Sequence, residues 1–215
     1  LNEFDENKIF KKNKFKINYK FNNFKLNGTS NFYLNDNRSN LINFNISNID
    51  SKISFKTLLK LTNLDIKLDN ISYHKAKEKE ASLEIEGFTK KNKTFLKNIN
   101  YIENNNKILI KDLEIKNKKI TYFNKLVLNL LTKNDFKNEI FITKNKKNYL
   151  LIGKSFDSEN LIEVISNSSD NKNFLSSFKN LNSKIDVKIE NVKLDKFNEV
   201  QNLKGFLIIK NNKII

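Results

Sequence analysis

His74 is the only histidine of the chain, and its imidazole is the side chain best suited to exchange protons near neutral pH. Cysteine is absent, so no thiol can act beside it as a nucleophile or a metal ligand. The residue follows Tyr73 and begins a highly charged stretch, where an exposed position is the simpler interpretation. We therefore predict no enzyme, no cofactor and no metal site.

The carboxylates give no sign of a catalytic pair either. Asp112, Glu114, Asp186 and Glu190 alternate with apolar residues and stand close to lysines. On strands, such carboxylates lie on the polar face and form solvated cross-strand pairs. Neither a glycine-rich phosphate loop nor a metal-ligand spacing is present.

Charge and composition limit the class of protein further. The chain has 40 Lys and Arg against 24 Asp and Glu, a net charge of +16, and 38% hydrophobic residues. That apolar fraction favours a folded protein in spite of the charge. The excess of Lys, Asn, Ile and Phe is typical of A/T-rich codon use. Over the whole chain the basic charge is spread out and most aromatic residues fall at apolar positions, which argues against a nucleic-acid binder.

The main structural signal is the alternation of apolar and polar residues, which is typical of strands. Residues 112–131 show it in three short groups separated by residues 117–119 and 123–125, and this predicts a three-stranded antiparallel meander with one apolar face. Residues 54–61 follow neither period and are predicted to be irregular. Residues 158–165 are predicted to form a short helix with Asp157 or Ser158 as its N-cap.

A related pattern of strand pairs recurs at residues 63–73, 112–122 and 184–194. Its unequal separations, roughly 50 and 70 residues, suit one long sheet better than a strict solenoid. A stacked sandwich, a closed barrel or a curved sheet with an apolar groove would each account for the apolar face. We predict an all-β fold: an elongated, curved, mainly antiparallel sheet with one short helix. Residues 1–215 would form one segment of a longer protein, or two sub-units, 1–152 and 153–215.

Two stretches carry a family resemblance. Residues 153–163 read Gly-Lys-Ser-Phe-Asp-Ser-Glu-Asn-Leu-Ile-Glu, between a strand and a new alternating series, and residues 203–215 read Leu-Lys-Gly-Phe-Leu-Ile-Ile-Lys-Asn-Asn-Lys-Ile-Ile. This order resembles the AsmA-like family of bacterial envelope proteins, the TamB and YhdP group, over residues 60–215. The resemblance implies a taco-like hydrophobic β-groove in the periplasm that conducts phospholipids between the inner and outer membranes. It also implies an inner-membrane anchor in a segment outside this chain.

In such a groove, phospholipid acyl chains would lie along the alternating apolar side chains, and Lys111, Lys116 and Lys125 would meet head groups at the rim. The predicted groove-lining residues are Leu64, Ile66, Leu68, Ile108, Ile110, Leu113, Ile115, Ile120, Tyr122, Leu126, Leu128, Leu130, Ile140, Ile142, Ile185, Val187, Ile189, Leu207 and Ile209. The residues leave open one alternative, a structural or adhesive β-protein whose interior is fully self-packed and holds no ligand.

Overall fold

A computed structural model describes residues 8–21, 23–34, 39–166, 181–210 and 213–214. These residues form sixteen strands, one 3-10 turn and one α-helix. The strands are β1 (Lys8–Lys20), β2 (Asn23–Leu34), β3 (Asn40–Ile49), β4 (Lys52–Lys60), β5 (Ile66–Leu68), β6 (Tyr73–Lys75), β7 (Ser82–Lys90), β8 (Lys93–Glu103), β9 (Asn106–Lys116), β10 (Lys119–Tyr122), β11 (Lys125–Leu131), β12 (Lys137–Asn145), β13 (Asn148–Asp157), β14 (Ser183–Lys193), β15 (Glu199–Lys210) and β16 (Lys213–Ile214). The 3-10 turn is Asp69–Ile71, and helix α1 is Glu159–Ser166.

Fourteen strands form one large sheet. Its order is β1-β2-β3-β4-β7-β8-β9-β11-β12-β13-β14-β15-β16, and β10 pairs with β9 beside this path. Strands β1 and β16 stand at opposite ends of the order, so the sheet is open. Every pairing is antiparallel except β13 with β14, which are parallel and separated in the chain by α1. The predicted all-β, curved and mainly antiparallel fold is confirmed. Both predicted sub-units contribute to this sheet, since residue 153 lies inside β13.

Several hairpins turn on residues in the left-handed conformation. Asp50 and Ser51 connect β3 to β4 with φ of 49° and 60°, and Asn117 and Lys118 connect β9 to β10 with φ of 51° and 62°. Two consecutive positive φ angles are the mark of the type I′ turn, whose twist matches that of the flanking strands. The predicted turn after residue 116 is therefore confirmed.

The predicted second turn of the meander, at residues 123–125, is wrong. Ile120 of β10 pairs with Ile115, and Leu126 of β11 pairs with Ile110, so both strands lie along β9 as two parts of one interrupted strand. Asn124 keeps contact with β9 through its N–H, 3.0 Å from the Lys111 carbonyl oxygen. A spacing of three residues in the sequence does not distinguish such a break from a turn.

The prediction that residues 54–61 are irregular is also wrong, because residues 52–60 form β4. Phe55, Thr57 and Leu59 pair with Ile46, Phe44 and Ile42 across one face. The alternation was hidden because a polar threonine occupies one position of the apolar face while Leu58 lies on the opposite face.

The predicted helix is confirmed as α1. Ser158 occupies the N-cap position, since its carbonyl oxygen accepts the N–H of Ile162 at 2.8 Å. The side chain that accepts a free helical N–H belongs to Asp157, whose Oδ1 lies 3.2 Å from the Glu159 nitrogen. Both predicted capping residues therefore take part at this helix start.

Candidate functional site

The apolar face of the large sheet is the candidate site, and most predicted groove residues lie on it. They are Ile108, Ile110, Leu113, Ile115, Ile120, Leu126, Leu128, Leu130, Ile140, Ile142, Ile185, Val187, Ile189, Leu207 and Ile209. Within β9, Asp112 adopts φ of 53° and shifts the alternation by one residue, so Ile110 and Leu113 face the same side. That these side chains line a ligand stays a prediction.

The register places twelve positions side by side across this face, and we call them the central row. The row consists of Phe15, Gly28, Phe44, Thr57, Ile85, Ile99, Ile110, Leu126, Ile142, Leu151, Val187 and Gly205. None of the twelve is buried and none is charged. Because neighbouring strands lie about 4.8 Å apart, the row is about 50 Å long.

In the middle of the sheet, buried side chains stand on both sides of the central row. One side, the first wall, includes Tyr101, Leu128 and Ile140; the other, the second wall, includes Leu113 and Tyr149. In the central row, Leu126 and Ile142 pack against both walls. The middle of the row is therefore an apolar strip, still partly exposed, between two packed walls.

The connection from β4 to β7, residues 61–81, completes the first wall. Its strands β5 and β6 pair with each other and form a separate two-stranded sheet. The predicted groove residues Leu64 and Ile66 belong to this segment and pack onto the first wall, whereas Leu68 is 36% exposed. These residues therefore lie in a separate hairpin and not in a strand of the large sheet, because a short alternating run fits either arrangement. That they line a groove stays a prediction.

Buried hydroxyls attach this segment to the large sheet. The Tyr73 hydroxyl donates to Glu103 Oε2 at 2.6 Å and lies 2.7 Å from the Tyr101 hydroxyl. Asn106 Nδ2 donates to the same carboxylate oxygen at 2.6 Å. Burial, and next the hydrogen bond to Glu103, raise the pKa of Tyr73, and burial raises the pKa of Tyr101. The two hydroxyls therefore stay protonated at neutral pH and available for hydrogen bonding.

Lys75 of β6 is fully buried and acts inside the same segment. Its Nζ donates to the carbonyl oxygens of Thr62 at 3.0 Å, Leu64 at 2.8 Å and Ala76 at 3.2 Å. Burial lowers the pKa of Lys75, since the interior disfavours its charged form. Three carbonyls satisfy the three donors of the ammonium group, so this lysine has a structural role.

Asn138 of β12 ties the far end of the segment to the large sheet. It is fully buried, its Nδ2 donates to the Ile71 carbonyl oxygen at 3.0 Å, and its Oδ1 accepts the Asp157 N–H at 2.6 Å. The Lys133 N–H donates to the Ser72 carbonyl oxygen at 2.9 Å close by. One amide side chain thus joins β12, the 3-10 turn and the end of β13.

The second wall is built around an aromatic pair. Phe123 and Tyr149 stack with ring centroids 4.5 Å apart, and the Tyr149 hydroxyl accepts the Phe123 N–H at 3.2 Å. Lys144 Nζ lies 4.2 Å from the Tyr149 ring centroid and donates to the Lys147 carbonyl oxygen at 2.9 Å. Burial lowers the pKa of Lys144. Lys144 lies two residues after Ile142 and on the same face of β12. The alternation that predicts Ile142 on the apolar face therefore also predicts Lys144 there.

Three predicted residues lie on the opposite face. Tyr122 pairs with Glu114 because the register shifts after Ile120. The proposed head-group lysines Lys111 and Lys125 pair with each other there, and Lys125 Nζ lies 4.7 Å from the Phe141 ring centroid. The remaining head-group lysine of the prediction, Lys116, is exposed at the end of β9. Placing Lys111 and Lys125 at the groove rim was wrong, because both alternate with the inward-facing residues of their strands.

Gly28 of the central row lies where close packing excludes a side chain. An added Cβ would come within 2.6 Å of the Lys14 carbonyl oxygen and 2.7 Å of the Phe44 ring. We expect Gly28→Ala to lower the free energy of unfolding by about 2 kcal/mol, because a backbone oxygen within a strand cannot move aside freely. At Gly205, at the other end of the row, nothing lies within 4 Å of the added atom. Gly205→Ala should therefore change stability by less than about 0.5 kcal/mol. Urea unfolding measures both, and equal effects would contradict close packing at Gly28.

His74 lies away from this apolar strip. Its Nε2 is 2.5 Å from Asp65 Oδ1, both side chains are exposed, and this hydrogen bond is the main cause that lowers the pKa of Asp65. In the described part of the chain no group of three or more acidic or histidine side chains could hold a metal ion. Among the same residues, no helix has the length and apolar character needed to cross a membrane.

Comparison with known proteins gives no relative for this chain. No protein-family model matches it, and neither a curated protein nor a solved structure is significantly similar to it.

Proposed function

We propose that the chain binds phospholipid acyl chains along the central row and conducts them across the sheet, as a groove segment of an AsmA-like protein of the bacterial envelope. The central row supports this most directly: twelve adjacent positions without a charge, partly or fully exposed throughout, extend from β1 to β15. A self-packed interior gives no reason for such a row to stay accessible, whereas an acyl chain needs an apolar strip of this kind.

The chemistry of the strip suits movement as well as binding. Burying apolar surface contributes about 25 cal/mol per Å², and successive positions of the row offer similar apolar contact. Thr57 is its one polar side chain, so a chain that slides along the row breaks few hydrogen bonds at each step. The two walls bound the strip laterally in the middle of the sheet and would keep an acyl chain on the row.

The runner-up is a structural or adhesive protein without a ligand. The two buried clusters favour it, because residues 61–81 already cover part of the apolar face. The two functions differ in whether the central row contacts lipid in the isolated protein.

Photocrosslinking tests the proposal. A benzophenone amino acid replaces Phe44, in the central row, or Phe141, on the opposite face; both phenylalanines are partly buried strand residues. We expect phospholipid adducts, detected by mass spectrometry after purification from cells, with the probe at position 44 only. Adducts at both positions, or at neither, would favour the structural protein.

Probes of similar shape are preferable to charge insertion. Leu128 is only 8% exposed, so Leu128→Asp would place a carboxylate in the first wall and unfold the site, at a cost of several kcal/mol. Its neighbour Asn129, on the opposite face, would tolerate Asp. Loss of lipid in the first variant alone would then report on folding as much as on lipid binding.

A further inference from the structure

The β1–β2 hairpin is the most unevenly charged part of the chain. Residues 8–34 contain no aspartate or glutamate, and they carry seven lysines: Lys8, Lys11, Lys12, Lys14, Lys16, Lys20 and Lys25. The next strand, β3, adds no charge of either sign. The summed charge of the chain therefore conceals a cluster of positive charge in the hairpin at one end of the sheet.

The same hairpin exposes large apolar side chains. Phe15 is 63% exposed, Ile17 56%, Tyr19 71%, and Phe21, at the hairpin turn, 81%. These values far exceed those at the equivalent positions in the middle of the sheet, where the walls cover the apolar face. The hairpin thus combines exposed rings with lysines and contains no acidic residue of its own.

We propose that the β1–β2 hairpin docks onto the surface of an anionic phospholipid bilayer. Phe15 and Ile17 pair with Gly28 and Leu26 on the apolar face, whereas Lys14 and Lys16 pair with Thr29 and Asn27 on the other. An amphipathic element of this kind buries its apolar side chains at the boundary between head groups and acyl chains. Lysines reach the phosphates with their flexible stems, and tyrosine is enriched at this depth.

The position of β1 fixes how the hairpin would meet the bilayer. β1 is the end strand of the order, and no described strand pairs with its outer edge. Its free backbone groups need water or phosphate oxygens, both of which the head-group region supplies and the hydrocarbon core does not. Docking is therefore shallow, and the outer edge of β1 meets the head groups. The exposed apolar side chains Phe15 and Ile17 lie on one side of that edge, and Lys14 and Lys16 lie on the other.

The face pattern favours a bilayer over single-stranded nucleic acid. Nucleic-acid platforms combine stacking rings with a basic groove that follows the phosphates. Here the lysines Lys14 and Lys16 face away from the rings, and the rings continue into the aliphatic surface of Leu26 and Ile46. Such a surface matches acyl chains better than bases.

This docking does not depend on acyl-chain conduction along the central row. A chain that carries no lipid could still bind a bilayer, and a lipid-loaded chain could fail to do so. Phe44 pairs with Gly28 of the hairpin, so its crosslinking is also measured in the lysine triple variant described below, which should lose docking. Adducts that persist in that variant report acyl-chain binding, and vesicle binding without adducts reports docking.

Vesicle sedimentation with the 215-residue chain tests the proposal. We expect binding to vesicles of phosphatidylcholine with phosphatidylglycerol and little binding to phosphatidylcholine alone. The triple variant Lys14→Glu, Lys16→Glu, Lys20→Glu should bind roughly 100-fold more weakly, since each lysine near an anionic surface contributes about fivefold. The matched control Lys107→Glu, Lys188→Glu, Lys204→Glu changes three exposed strand lysines elsewhere and carries the same net charge. It should bind within about threefold of the unaltered chain.

A second pair of variants tests the rings. Tyr19→Ser with Phe21→Ser should weaken vesicle binding by about tenfold or more, whereas Phe197→Ser, at an 86% exposed ring in the β14–β15 turn, should not. Circular dichroism confirms that each variant is folded. Equal losses in the two lysine triples, no effect of the ring variants, or tighter retention on single-stranded DNA than on anionic vesicles at physiological salt would overturn the proposal.

Discussion

Leu130→Ala is expected to lower the free energy of unfolding by about 3 kcal/mol. Leu130 has no exposed surface, and it packs in the first wall beside Leu128. Truncation removes its buried methyl groups and leaves a cavity that strands held on both sides cannot close. Urea unfolding followed by circular dichroism measures the change.

The next residue provides the control. Leu131 lies on the opposite face and is 48% exposed, so Leu131→Ala should cost less than about 0.5 kcal/mol. The two substitutions delete the same atoms from adjacent positions of one strand, and any difference reports burial alone. If the two variants unfold at the same urea concentration, the first wall is not a packed core.

Asn138→Ala is expected to cost about 3 kcal/mol by a different route. The Asn138 side chain has no exposed surface, and it forms hydrogen bonds with two backbone groups, the Ile71 carbonyl and the Asp157 N–H. Alanine leaves both groups without this partner, at about 1–3 kcal/mol for each buried polar group. The unfolding free energy in urea again gives the measurement.

Asn148→Ala is the matched change at an exposed asparagine in the following strand, and it should be near neutral. Asn138→Asp separates geometry from hydrogen bonding, because it keeps the volume and the acceptor but loses the donor to Ile71. It should be at least as unstable as Asn138→Ala. Full stability of Asn138→Asp would mean that the bond to Ile71 contributes nothing.

Much of the sheet was predictable because its signal is local. Ile185, Val187 and Ile189 alternate strictly with polar residues, as do Leu113 and Ile115, and the pleat of a strand places them on one face. The helix was equally clear, since the break in alternation follows Asp157 and Ser158. These elements need no knowledge of their partners.

The features that escaped prediction depend on partners distant in sequence. The break at Phe123 depends on Tyr149, which lies 26 residues away, and the side of Tyr122 depends on a register shift against β9. The sequence of residues 61–81 does not predict that they pack onto the large sheet, because the hydrogen bond from Tyr73 to Glu103 spans 30 residues. The lysine cluster of residues 8–34 was readable in the sequence, but a charge summed over the whole chain concealed it.

The strap formed by residues 61–81 changes how the sheet holds together. A long open sheet is close to a one-dimensional array, in which each strand is stabilised by its two neighbours and unfolding can spread from either end. The strap bonds to Tyr101 on β8, Asn138 on β12 and Asn160 on α1, elements separated by several strands. The strap also reaches the start of β3, because the Asn63 N–H donates to Asn40 Oδ1 at 3.0 Å. Strands β3 to β13 are therefore coupled as a block, with β2 and then β1 added in series at one end.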